Sequence, residues 1–386
     1  MPVNRGEAVV VGTARTPIGT ARKGSLAHVD AFELATTVVG EVVRRAGVDA
    51  ERVDDVILGE SLYGGGAVAR YAAIEAGLVH APGMAHNRHC ASGLATVQTG
   101  AASIMAGMDR IVVAGGVQSS STAPTCTWQG EEGWVAWSHR ETPEAPALDM
   151  TITVGWNAAR DAGISREDMD AWALRSHRRA VAGIDGGAFT EEIVAVGDFA
   201  VDEHPRRDTS MEKLASLPPL HPEIDGFSIT AGNAAGRNDG AAAVVLAERA
   251  VAEAEGLEPL AVVRAWAAAG VPPERTGLAP IDAIPRALAR AGIGVDDVDL
   301  WEINEAFASV PIAAVRALGI DDELVNVLGS GCSLGHPIAM TGTRMVVTLV
   351  HELRRRGGGT AVAAMCAGGG MAEAVVLDVP APGSGG

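Results

Sequence analysis

Hydrophobic and polar positions fall into two similar α/β patterns, separated by a stretch that keeps neither period. The chain opens with a polar lead and passes straight into an apolar run, AVVVGTAR, which reads as a buried strand. Residues 44–60, RRAGVDAERVDDVILGE, predict a helix ending at Ala-Gly, an acidic turn and a short apolar strand. Residues 288–305, LARAGIGVDDVDLWEINE, predict the same succession. Farther along, residues 90–100 (CASGLATVQTG) resemble residues 332–342 (CSLGHPIAMTG), each a strand-to-helix turn running into a helix. That match sets Cys90 opposite Cys332. IVVAGG at 111–116 is echoed by AVAAMCAGGG at 361–370, a buried strand ending in glycines. Repetition at this long period predicts two similar α/β halves, against the alternative that apolar α/β segments simply look alike.

Between the halves, residues 120–234 differ. TWQGEEGWVAWSHRETPEAPA is rich in Trp, Pro and Glu and has no clean period, as expected of an irregular insertion. Four of the seven tryptophans, Trp128, Trp134, Trp137 and Trp156, lie in this region, either packing locally or walling a ligand pocket. Residues 165–182 predict an amphipathic helix, with Ser165 and Asp168 as a capping box and apolar positions at Met169, Trp172 and Ala173.

At 386 residues, the chain is long enough for two to three domain-sized cores, and nearly half its residues are hydrophobic. It has no run of about 18 apolar residues of the kind that spans a bilayer. The start lacks the basic region and cleavage site of a signal peptide, so the expected location is the cytoplasm. A formal charge of −18 argues against nucleic acid and against an acidic carrier protein as partners. A small anion held by a few arginines stays open. The four cysteines, Cys90, Cys126, Cys332 and Cys366, form neither a disulfide scaffold nor a metal-ligand spacing.

Some residues stand out chemically. Cys90, in HNRHCASGLA, falls near a helix N-terminus, where the helix dipole favours a thiolate; a buried inert thiol is the alternative. His336 is presented rigidly between Gly335 and Pro337, and imidazole suits proton transfer near neutrality. Cys366 ends an apolar strand before three glycines, whose N–H groups can approach a developing oxyanion; from these residues alone, a plain glycine turn holding a buried thiol is the stronger reading. Asn304 and Glu305 end the repeated strand, facing a site or capping a helix.

From near residue 8 to near residue 378 the chain resembles the thiolase family. The resemblance is carried by ARTPIG (14–19), the Cys90 segment, GISREDMDAWALRSHRRA (163–180), DEHPRRDTSMEKLA (202–215), TAGNAAGRNDGAAA (230–243), APIDAIPRALARAG (279–292), NEAFA (304–308), GHP (335–337) and CAGGGMA (366–372). It implies a five-layered αβαβα fold of two repeated halves. Residues 1–119 with 235–256 form the first half, 120–234 an inserted loop domain, 257–379 the second half and 380–386 a flexible tail. It also implies a homodimer or homotetramer. The implied activity is reversible condensation or thiolysis of acyl-CoA and 3-ketoacyl-CoA through an acyl-cysteine, with coenzyme A as substrate or product rather than a resident cofactor. Cys90 matches the nucleophile, His336 the base that activates it, and Cys366 the acid/base at the α-carbon. Asn304 with His336 matches one oxyanion hole, and the N–H groups of Cys90 and Gly368 the other. Arg206, Ala235 and Met150 match positions that contact coenzyme A.

The chain departs from the family pattern at Gln118, Ser121, Asp149, Thr151, Trp156, Ala235, Arg237, Ser330 and Ala339. None of these removes Cys90, His336, Cys366 or Asn304, so the expectation is retained chemistry with altered substrate preference. A condensing enzyme with another acyl donor and an inactive acyl-CoA binder are the alternatives.

Overall fold

The computed structural model describes residues 6–61, 63, 67–124, 126–128, 131–133 and 138–383, with the backbone alone for 126–128 and 131–133. The first half runs β1 (Ala8–Arg15), β2 (Gly19–Thr20), α1 (Ala31–Ala46), β3 (Asp55–Gly59), α2 (Ala67–Glu75), β4 (Gly83–His86), α3 (Ser92–Met105) and β5 (Ile111–Ser119). The intervening segment carries a small hairpin, β6 (Cys126–Trp128) and β7 (Glu131–Gly133). Its helices are α4 (Asn157–Asp161), α5 (Arg166–Asp185) and α6 (Met211–Ala215). β8 (Asn238–Glu248) and α7 (Arg249–Glu255) return to the first half. The second half runs β9 (Ala261–Gly270), α8 (Pro280–Ala291), β10 (Leu300–Ile303), α9 (Ser309–Leu318), α10 (Gly331–Leu334), α11 (Thr341–Arg356), β11 (Gly359–Ala367) and β12 (Met371–Val379).

The strand order is β10-β11-β12-β9-β1-β8-β5-β3-β4, with β2 beside β8. Only two residue pairs, Val9–Val262 and Val10–Ala261, join the two half-sheets along the β1–β9 seam. On either side of the seam the order repeats: β1-β8-β5-β3-β4 mirrors β9-β12-β11-β10, with Val325 bridged to Trp301 where a last strand would lie. The apolar clusters reveal the layers. Leu94 and Val97 of α3 pack with Val346 and Val350 of α11 and with strands of both half-sheets. α1 and α2 cover the outer face of the first half-sheet. α8 and α9, with the inserted segment, cover that of the second. The result is five layers, αβαβα, with α3 and α11 in the middle. No described helix is long and apolar enough to cross a membrane.

Glycine sets how closely the two central helices approach. A Cβ on Gly93 would lie 2.5 Å from the carbonyl oxygen of Ala339, and one on Gly342 2.6 Å from the Cβ of Leu94, so neither position accepts a side chain without movement. Thr343 Oγ1 donates to the Gly93 carbonyl at 2.8 Å across the same contact. The loops that lead into α3 and α11 are thereby brought side by side.

The repeat inferred from sequence holds for α1–β3 against α8–β10 and for β5 against β11, but the pairing of Cys90 with Cys332 does not. Cys90 stands just ahead of α3, whereas Cys332 lies inside α10, a full turn of loop before α11 begins. The second half has inserted α10 and the Gly335-His336-Pro337 turn at this point, which shifts the register of the apparent match.

The inserted segment is anchored by buried polar groups. α5 begins with the capping box: Ser165 Oγ accepts from the Asp168 N–H at 3.0 Å, and the Asp168 carboxylate accepts from the Ser165 N–H at 3.2 Å. The Glu305 carboxylate, buried at the end of β10, accepts from Trp172 Nε1 (2.9 Å), Ser176 Oγ (2.6 Å), Asn326 Nδ2 (2.9 Å) and the Cys332 N–H (3.1 Å). Glu305 therefore clamps α5 to the second half. Arg15, fully buried, does the same for the first half through Glu192 and Asp202. Trp156 is partly buried against Phe227, its ring centroid 5.3 Å away. Trp134, Trp137, the Trp128 side chain and tail residues 384–386 lie outside the described residues. Changing Glu305 to Ala removes an acceptor from four buried groups, of which Trp172 Nε1 and the Cys332 N–H have no other. Chemical denaturation is expected to show a loss of about 3 kcal/mol or more; an unchanged midpoint would mean that the clamp contributes nothing.

Candidate active site

The loop that carries Cys90 is held by its own polar groups. Ser92 Oγ donates to the His89 carbonyl at 2.6 Å and accepts from the Arg88 N–H at 2.9 Å, while Asn87 Oδ1 accepts from the His89 N–H at 3.0 Å. His89, just before Cys90, sits at φ 45°, a left-handed conformation that costs a side-chain-bearing residue roughly 1–3 kcal/mol. The surrounding bonds hold that strain in place. Arg88 Nη1 reaches across to Glu373 on β12 at 2.6 Å, tying the loop to the second half. Burial pushes Glu373 up to about 8, against the pull of that guanidinium.

His336 is fixed just as firmly. Its N–H donates to Asn238 Oδ1 at 3.0 Å. Gly335, at φ 103°, lies against the same amide, where a Cβ would come within 2.6 Å of Asn238 Cγ. The ring Nδ1 lies 2.7 Å from Thr341 Oγ1, the first residue of α11. Thr341 Oγ1 donates its own proton to the Pro337 carbonyl at 2.9 Å, so toward the ring it can only accept. With the hydroxyl proton on the Pro337 carbonyl, the ring proton is assigned to Nδ1, which leaves the lone pair on Nε2. Nε2 is buried with no hydrogen-bond partner among the described residues. Burial, and secondarily the Arg344 guanidinium, pushes His336 down to about 3, so the resting imidazole is neutral.

Cys90, His336 and Cys366 line one cavity of about 1010 Å³. Gly368, Met150, Ala235 and Arg206 line it too. Asn304 lies behind it, fully buried. Its side-chain nitrogen comes within 3.5 Å of His336 Nδ1, and its Oδ1 has no partner. The N–H groups of Gly368 and of Cys90 itself both face the Cys90 sulfur. Of the altered positions, Asp149, Thr151, Ala235 and Arg237 border the cavity, while Gln118 and Ala339 are fully buried. Ser330 accepts from Arg344 Nη2 at 3.0 Å and donates to Glu302 at 3.2 Å. Arg206 is exposed at the cavity, its backbone N–H donating to His177 Nδ1 at 3.1 Å.

One electrostatic expectation is reversed. Burial pushes the Cys90 thiol up to about 11, although the N–H groups of Gly368 and Cys90 pull it down. Cys366 is pushed farther up, by burial and then by the nearness of Cys90. α3 starts only beyond Cys90, at Ser92, and its dipole does not outweigh the apolar surroundings. The unliganded site thus holds two thiols and a neutral imidazole, with no resting thiolate. Sequence reasoning missed Thr341. Its one signal was position, a hydroxyl one helical turn beyond Pro337.

Comparison with known proteins agrees over the whole chain. The family model described as "Thiolase, N-terminal domain" matches residues 8–250, and "Thiolase, C-terminal domain" matches residues 257–379. A "3-ketoacyl-CoA thiolase" of Bacillus subtilis is 41% identical over 397 aligned positions, covering 97% of this chain and 99% of that protein. An "Acetyl-CoA acetyltransferase" of Pseudomonas aeruginosa is 41% identical over 96% of this chain and 99% of its own length. Among solved structures, human mitochondrial 3-ketoacyl-CoA thiolase in complex with CoA superposes with a TM-score of 0.90 at 35% identity, covering 98% of this chain and 99% of that one.

Thr341 holds the His336 ring through Nδ1, and its loss has a measurable consequence. Thr341→Val removes the acceptor for Nδ1–H. Turnover is expected to fall on the order of 10- to 100-fold, part of what a misplaced general base costs. Thr341→Ser should restore it, and coenzyme A affinity by calorimetry should not move. A Val variant with parental turnover and pH profile would refute the assignment.

Proposed function

The chain belongs to the thiolase family and is an acyltransferase, and on that premise we propose how its own residues divide the work. Cys90 carries the acyl group, His336 Nε2 exchanges the Cys90 proton, and Cys366 exchanges the proton of the α-carbon. The observation that carries this reading is the convergence of Cys90, His336 and Cys366 on one cavity, with the imidazole lone pair free.

In the direction of thiolysis, Cys90 Sγ attacks the keto carbon of a 3-ketoacyl-CoA while His336 Nε2 takes the thiol proton. The Cys90 and Gly368 N–H groups receive the oxyanion. The bond between the α-carbon and the former keto carbon breaks, leaving an acyl-cysteine and the enolate of acetyl-CoA. Asn304 and His336 frame the hole for that enolate oxygen. Cys366 gives its proton to the α-carbon and becomes a thiolate; the upward push on this thiol suits a group that must arrive protonated. Coenzyme A then attacks the acyl-cysteine, and its thiol proton returns to Cys366. Cys90 leaves and recovers its proton from His336. Condensation is the same path reversed. Two thiols in different surroundings thereby keep nucleophile and acid distinct.

Coenzyme A is substrate and product here, not a resident group. Arg206, joined at the cavity by Arg22 and Arg237, supplies positive charge for its phosphates in an otherwise acidic protein. Free thiols at Cys90, Cys332 and Cys366 suit a reducing compartment, and we place the protein in the cytoplasm.

We also propose a homodimer formed through β4. Among the described residues β4 pairs only with β3, so its outer edge is open. Tyr71, Ile74, Val79 and Met84 lie beside it, between 40% and 52% exposed. An open edge with apolar flanks is a ready isologous surface. Met84→Lys with Val79→Lys is expected to shift sedimentation toward monomer; an unchanged oligomer would place the interface elsewhere.

The enzymatic reading is tested by coenzyme A-dependent loss of 3-ketoacyl-CoA. Turnover should vanish in Cys90→Ala and fall by at least about 100-fold in His336→Ala. Full activity in Cys90→Ala would overturn the assignment of the nucleophile.

A further inference from the structure

Residues Thr151–Trp156 form a π-helix, with the Asn157 N–H donating to the Ile152 carbonyl five residues back. The chemistry does not require one. Such turns are rare and gather at functional sites. This one is clamped from every side. Asn157 Nδ2 donates to the Glu144 carbonyl at 2.8 Å and to the Glu274 carbonyl at 3.1 Å, and Ser309 Oγ donates to the Gly155 carbonyl at 2.8 Å. Gly155 is pressed on Phe307, where a Cβ would lie 2.7 Å from the ring. The face left uncovered opens on the cavity through Met150, Thr151 and Val154, with Phe307 adjoining.

That face lies next to the reacting atoms. Val154, Phe307 and Cys366 share one apolar cluster, with Met150 packed against it. Met150 Sδ lies 3.6 Å from where a Cβ on Gly368 would be. This wall is apolar surface of the same cavity that holds Cys90, open to an acyl chain carried on that thiol. Just before the π-helix, Asp149 borders the cavity, accepts from the Thr151 N–H (3.0 Å) and Oγ1 (2.6 Å), and pairs with His221 Nε2 at 2.9 Å. His221 Nδ1 lies 2.8 Å from Glu223. Two carboxylates around one imidazole leave the group negative even when the ring is charged.

We propose that the π-helical turn Thr151–Trp156 is the acyl-selecting wall of this enzyme, taking uncharged 3-ketoacyl chains longer than four carbons and, through Asp149, disfavouring chains that end in a carboxylate. The proposal rests on Cys90 as the acyl carrier. It differs from a general pocket wall in that selection depends on the extra residue in the turn.

The test compares kcat/KM for thiolysis of three 3-ketoacyl-CoA thioesters: a four-carbon chain, an eight-carbon chain and a six-carbon chain ending in a carboxylate. The parent should prefer the eight-carbon chain to the carboxylate-ended one by about tenfold or more, the scale a few buried methylenes set. Deleting Gly155, which lets the turn close as an α-helix, and Val154→Phe, which fills the wall at unchanged length, should each lower the eight-to-four-carbon ratio about tenfold. KM for coenzyme A should stay within about twofold of the parent. Should the deletion fail to fold, Val154→Phe decides. Equal or better use of the carboxylate-ended chain would overturn the proposal and point to the cavity arginines as the acyl contact. Parental ratios in the folded variants would overturn it as well. A parent that turns over none of the three would overturn the reading beneath it, which an active parent with unmoved ratios would not.

Discussion

The close approach of α3 and α11 is the constraint on which the site depends. Each helix is met at its first turn by backbone of the other half, and only glycine fits at Gly93 and Gly342. Gly116 adds to this, because its missing side chain makes room for the Ala339 carbonyl. Alanine and glycine are abundant because the middle layer is thin, and a thin middle layer sets the loops before the two helices beside one cavity. One loop delivers Cys90 and the other His336. Larger side chains at these glycines would add buried apolar area yet separate the loops, so packing density here serves geometry more than stability.

Around this contact, polar groups are buried at considerable cost and most of their atoms are paired, Glu192 Oε2 and Arg344 Nε being exceptions. Glu305 and Arg15 each gather several partners in the interior, and both secure the inserted segment to a half-sheet. Arg344, Glu302 and Ser330 form a third such group near His336. Two more unpaired atoms belong to the candidate site. His336 Nε2 and Asn304 Oδ1 are buried without partners, a condition that normally destabilises a fold. Unmet hydrogen-bonding capacity beside a cavity is capacity held for a substrate.

Much of this was legible in the sequence, for physical reasons that differ by element. The repeated helix–turn–strand showed because burial on both faces leaves a continuous apolar run, and α5 showed because a capping box has a fixed spacing. Cys90, His336 and Cys366 showed because glycine and proline around a reactive side chain are uncommon. Thr341 did not show, since one hydroxyl in a helix start looks like any other. The state of the thiols was misread because a helix N-terminus is visible in sequence, whereas the apolar surroundings that outweigh it arrive from distant strands. The π-helix was expected to be irregular loop, because six residues with one wide turn leave no period to read. Residue numbers also misled, matching Cys90 to Cys332 across a loop that only one half possesses.

The two half-sheets meet along a seam of only two residue pairs, and both halves line the one cavity. Cys90 comes from the first half, while His336 and Cys366 come from the second. Doubling a fold would ordinarily yield two copies of a site; here two copies yield one. A half by itself would hold Cys90 without His336, or His336 and Cys366 without Cys90. The duplicated scaffold is therefore not a duplicated site: the cavity takes Cys90 from a loop of one half, and His336 from a turn and Cys366 from a strand of the other, each half giving what its counterpart lacks.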